Sequence, residues 1–89
     1  MAINNAIYSK SGTATTTPTA ISTANPEKYD SFQLFNDDAA IAVTFVVNGA
    51  SVKVLATESI NLDIRCSPNA VTAASASATA AYRVIAVGR

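Results

Sequence analysis

Ile41-Ala42-Val43-Thr44-Phe45-Val46-Val47-Asn48-Gly49-Ala50-Ser51-Val52-Lys53-Val54 is the stretch that decides the fold. Asn48-Gly49 lies between two runs in which apolar residues alternate. A type I′ turn needs positive φ at both central positions, and Asn-Gly supplies it at little cost. Such a turn fixes a register, and the register can be checked against the hydrophobic pattern. It sets Val47 against Ala50, Phe45 against Val52, Val43 against Val54 and Ile41 against Ala56, all apolar and all on one face. The other face pairs Val46 with Ser51, Thr44 with Lys53 and Ala42 with Leu55. Turn chemistry and binary pattern agree, which predicts a hairpin over 41–56.

The same period continues outward on both sides. Upstream, Asp30 to Phe35 alternates, with Phe32 and Leu34 on one face and Phe35 on the other, and Asn36-Asp37-Asp38-Ala39 makes a turn. Downstream, Ala56-Thr57-Glu58-Ser59 turns into Ile60 to Arg65, with Ile60, Leu62 and Ile64 inward and Asn61, Asp63 and Arg65 outward. Cys66-Ser67-Pro68-Asn69 is a loop. Residues 70–81 interleave Ala with Ser and Thr. Ala favours helix, but the segment carries no amphipathic stripe, so the reading is a short strand near 69–74 and a turn at Ser75–Ser77. A last strand follows from Ala80 to Val87. Apolar groups on both of its faces predict a central position or one covered on both sides. Short turns and no crossover helix define an all-β chain, a small antiparallel β-sandwich or barrel of about 6 strands over 29–89.

Residues 1–28 read differently. Ile3, Ile7, Tyr8 and Ile21 are their large apolar groups past Met1, and the middle is Ser9 to Ala20, rich in Thr and Ser, with Gly12 and Pro18. No helical period runs through it. The expectation is an extended N-terminal arm, either disordered or laid over another subunit. Ile3, Ile7, Tyr8 and Ile21 are its candidate partner-binding residues, the first three alternatively forming a short edge strand. Phe35, on the face opposite Phe32 and Leu34, is a further candidate contact. Asn25-Pro26-Glu27-Lys28 marks the boundary with the β module.

Composition narrows the function classes. Of 89 residues, 18 are Ala, 10 Thr and 9 Ser, and 13% are charged, about half the usual fraction of roughly 25%. The larger apolar side chains number 25, a thin core that favours burial against copies of itself or a larger assembly. Six basic and six acidic residues give zero net charge, which offers no electrostatic footprint for nucleic acid or an anionic membrane. No His and a single Cys, Cys66, argue against most transition-metal sites and against Ser-His-Asp or Cys-His catalysis. Asp37-Asp38 reads as turn residues satisfying local N–H groups rather than as a cation site. Asp63 and Arg65, with Glu58, Lys53 and Arg83, read as a solvated polar rim. No phosphate-binding glycine motif, catalytic constellation, cofactor site or metal site is expected. The first eight residues show no secretory signal, and no run approaches a membrane helix.

From about residue 32 to the end, the chain resembles small bacteriophage virion proteins of the capsid decoration, or cement, type. The resemblance rests on "LFNDD" at 34–38, "IAVTFVVNG" at 41–49, "SVKVLATESINLDI" at 51–64 and "AYRVIAVG" at 81–88. It implies a short β-sandwich behind an extended N-terminal segment, many copies of which coat a capsid or tail. The implied function is non-enzymatic and structural. The implied partners are the chain itself, as a homo-oligomer such as a trimer, and a major capsid or tail protein. The place is the virion, with synthesis in the host cytoplasm. A tail or baseplate component, or a receptor- or carbohydrate-binding sandwich, is the alternative.

Overall fold

A computed structural model describes residues 7–88. Eight strands follow in chain order: β1 (Ile7–Ala14), β2 (Thr19–Ala20), β3 (Ser31–Asn36), β4 (Val43–Val47), β5 (Ala50–Val54), β6 (Ser59–Leu62), β7 (Val71–Ser75) and β8 (Ala80–Val87). A single 3-10 turn, Pro68–Ala70, precedes β7. Two four-stranded antiparallel sheets result, one in the order β1-β8-β3-β6 and the other β2-β7-β4-β5.

The Asn48-Gly49 hairpin is the seed of this topology. Asn48 has φ of 50° and Gly49 of 90°, as the turn requires. Val47 pairs with Ala50, Phe45 with Val52 and Val43 with Val54. The ladder stops at Val43, short of Ile41. Ile41 donates its N–H to Asp38 Oδ2 (2.7 Å) and its carbonyl accepts from Asn36 Nδ2 (2.8 Å), so side chains take the place of a strand partner. Outward from this tip the pairs nest: β4 with β5, β3 with β6, β2 with β7 and β1 with β8. A long hairpin folded over itself into two sheets in this way is an eight-stranded jelly roll. The sheets do not close into a barrel, and the strands number eight rather than about six.

The expected arm is therefore corrected over residues 7–21. Ile7–Ala14 pairs along its whole length with β8, from Ile7 opposite Val87 to Ala14 opposite Ala80. Thr19–Ala20 pairs with β7. The reason is topological. The C-terminal strand sits in the middle of its sheet and needs a second neighbour, and β1 supplies it. The expected strand near 69–74 and last strand at 80–87 are observed as β7 and β8. β8 is central, between β1 and β3.

The core lies between the sheets. Phe32, Leu34, Val84 and Ala86 from one meet Val43, Phe45, Val47 and Val71 from the other, each at most 1% exposed. Burying each of the larger ones contributes about 1.5–3 kcal/mol. Phe45 meets Tyr82 edge to face across the sandwich, with centroids 5.7 Å apart. Asn36 is the buried polar group at the β3 end. Its amide donates to the Ile41 and Val54 carbonyls (2.8 and 3.0 Å) and its Oδ1 accepts from Asp38 N–H (2.9 Å). Cys66 is also buried, and desolvation pushes its thiol up, away from nucleophilic chemistry.

Candidate interaction surface

The outer face of the β1-β8-β3-β6 sheet is built from every second residue of each strand, as strand geometry requires. Register sets its rows. The first runs Ile7, Val87, Ser31; the second Ser9, Ile85, Gln33, Asn61; the third Ser11, Arg83, Phe35, Ser59. Ile7 is 69% exposed and Val87 43%, so the first row carries an uncovered apolar pair. The third row is covered from within. The Arg83 guanidinium lies 4.3 Å from the Phe35 ring centroid. Its Nε and Nη2 donate to Asp37 Oδ2 and Oδ1 at 2.7 and 3.1 Å. That bidentate pair holds the cation over the ring.

The candidate contact residues fall in different places. Ile3 lies outside the described residues. Ile7 is on the outer face. Tyr8, one residue on, turns to the opposite face and packs against the core, its ring 6.0 Å from that of Tyr29. Ile21 is 2% exposed and its N–H donates to the Val71 carbonyl, so it is a core residue and not a partner contact. Phe35 is half-buried beneath Arg83. Of the candidates among the described residues, the structure thus brings Ile7 and the covered Phe35 to one face, two rows apart.

The expected polar rim is also rearranged. Arg65 pairs with Asp30 and Arg83 with Asp37. Asp38 holds the turn as expected, accepting from the Ala40 and Ile41 N–H groups, and these bonds lower its pKa. Two adjoining depressions follow the first two rows. One of about 380 Å³ is lined by Asp30, Ser31, Asp63, Val87 and Gly88. The other, of about 200 Å³, includes Ser31, Gln33, Asn61, Asp63, Ile85 and Val87. Alternation had marked Asn61 and Asp63 as outward, but their meeting with Gln33 and Val87 depends on strand order, which no local pattern encodes.

The free edge of β1 is guarded. Lys10 shares a row with buried Val84, yet is itself exposed at the sheet margin. A charge carried on the inward side of an edge strand deters a further strand from adding there. Among the described residues, no group of three or more His, Cys, Asp or Glu side chains stands close enough to hold a metal, and every buried side-chain polar atom has a partner. No helix of the described residues is long and apolar enough to cross a membrane. No known protein family, curated protein or solved structure matches the chain.

Proposed function

We propose that this chain is a non-enzymatic structural protein of a bacteriophage particle, a capsid decoration (cement) protein bound to copies of itself and to a major capsid or tail protein. The eight-stranded jelly roll supports the reading at the level of fold, since viral capsid domains use that architecture, as lectins and cupins do. The observation that carries it furthest is the uncovered Ile7–Val87 pair on a sheet face whose other positions are mostly polar. The grip differs from a long arm. Residues 7–21 belong to the sandwich, so contact centres on the corner where β1 begins and β8 ends. Burying what remains exposed of Ile7 and Val87 there contributes only part of the roughly 1.5–3 kcal/mol of a fully buried side chain, the smaller part from Val87. So small a contact suits a protein held in many copies on a large surface.

The test is co-sedimentation of the purified full chain with particles stripped of it. Ile7→Asp changes a mostly exposed side chain at a strand end, so its circular dichroism and melting should match the wild type while it stays in the supernatant. Equal pelleting of Ile7→Asp and wild type would remove this corner from the docking site.

A further inference from the structure

We propose that the trough across β8, β3 and β6 is a binding site for a neutral oligosaccharide. The two depressions described above share Ser31, Asp63 and Val87, so they form one elongated trough rather than two separate hollows. Its polar wall comes from Ser31 and Gln33 on β3, Asn61 on β6 and Asp63 just beyond it, with Asp30, whose carboxylate is paired with Arg65, at one end. Gln33 and Asn61 are direct cross-strand partners. Among the described residues, none of the Ser31, Gln33, Asn61 and Asp63 side chains has a hydrogen-bond or ion-pair partner. The apolar side is Ile85 and Val87, successive outward residues of β8.

This mixture selects the ligand. A pyranose presents an apolar face of C–H groups and a rim of hydroxyls, each of which donates and accepts. Two side-chain amides offer donors and acceptors together, a carboxylate accepts from neighbouring hydroxyls, and a serine does either. Ile85 and Val87 offer the apolar patch on which the ring rests. Strands hold the groups in fixed register, which limits the entropy lost on binding.

The same chemistry disfavours other occupants. A phosphate chain or an acidic sugar would meet the Asp30 and Asp63 carboxylates, and among the described residues no basic side chain lines either depression. An apolar helix would strip water from Asp63, Asn61 and Gln33 without replacing its hydrogen bonds, a costly desolvation. The site is shallow, so a single site binds weakly, with a dissociation constant on the order of 1 mM.

The proposal does not depend on the particle-docking reading. Only Val87 is common to the two surfaces. The test is titration of the ¹⁵N-labelled full chain with maltotriose, cellotriose, mannotriose and chitotriose. At least one should shift the amides of Ser31, Gln33, Asn61, Asp63, Ile85 and Val87, while those of Thr44 and Val46 on the opposite sheet stay in place. Asn61→Ala and Asp63→Ala each alter an exposed side chain, and should weaken binding by about tenfold with the rest of the spectrum unchanged. Ile7→Asp should bind sugar as the wild type does, whatever it does on particles. Absence of shifts with all four sugars, shifts confined to another face, or undiminished binding by both alanine variants would overturn the assignment.

Discussion

Tyr82 fills the space that a side chain on Gly12 would take. The two residues face each other across β1 and β8, and a β-carbon built on Gly12 would lie 2.7 Å from the Tyr82 hydroxyl oxygen and 2.8 Å from the ring carbon that carries it. An aromatic laid over a strand glycine restores the cover that glycine lacks. Tyr82 also meets Phe45 of the other sheet, so Gly12 bears on the packing between layers.

Gly12→Ala should therefore destabilise the chain by about 1–3 kcal/mol, the usual range for an overpacked site. In a Tyr82→Leu background the same substitution should cost less, because the clashing ring is gone. Urea unfolding of the four proteins gives the coupling between the two sites. A Gly12→Ala cost unaffected by the residue at 82 would contradict the contact.

Truncation separates an arm from a strand. Asp30 and Asp37 N–H groups donate to the Val87 and Ala81 carbonyls, so odd-numbered residues of β8 point their polar backbone at β3 and even-numbered ones at β1. By register, the amides of Tyr8, Lys10, Gly12 and Ala14 point into the sheet, and those of Ile7, Ser9, Ser11 and Thr13 point to its free edge. The first set should exchange slowly with solvent and the second fast. Removing residues 1–24 should abolish cooperative unfolding, since it strips β8 of a partner and removes Ala14 and Ile21 from the core. A sharp thermal transition in the fragment 25–89 would show that these strands are dispensable.

The contrast between the hairpin and β1 explains what the sequence made legible. Around Asn48-Gly49 the turn residues and the alternation carry the same message, and the observed pairs from Val43 to Val54 follow it. In β1 the inward positions are Tyr8, Lys10, Gly12 and Ala14, so the pattern holds one large apolar group, one charge and two small residues. Its missing bulk is supplied by Tyr82, far along the chain. Ile7, the most apolar residue of the strand, points outward. Local alternation cannot reveal a strand completed by a distant side chain, and the segment reads as an arm. Phe35 was legible as facing away from Phe32 and Leu34, but its cover, Arg83 held by Asp37, is a long-range contact. The trough was half legible, as outward polar residues on strands whose order was not.

Asn36 ties the β3 end to the turn that follows and to β5. At 2% exposure it makes three hydrogen bonds to backbone groups. Asn36→Ala leaves the Ile41 and Val54 carbonyls and the Asp38 N–H without that partner, and should cost about 1–3 kcal/mol. Asn36→Asp should be at least as damaging near neutral pH, because a carboxylate cannot donate to two carbonyls. Chemical denaturation checks both, and an unchanged midpoint for either would argue against the network.

Asp38 gives the stability a pH dependence of known sign. Its folded pKa lies below the ordinary value of 3.8, chiefly because the Ala40 N–H and then the Ile41 N–H bond to the carboxylate. A depressed folded pKa contributes stability that is present above the unfolded value and is lost as pH falls through the folded one. Asp38→Asn should flatten the fall in unfolding free energy below about pH 4. Superimposable pH profiles of variant and wild type would remove Asp38 from the acid response.

Quantitative mass spectrometry of washed particles, purified from the host that makes this chain, bears most directly on the proposed role. The account predicts the wild-type chain in many copies, in fixed ratio to the major capsid or tail protein. It also predicts that Ile7→Asp is made and folded but missing from the particles. A wild-type chain absent from washed particles, or Ile7→Asp retained in them at the wild-type ratio, would contradict it.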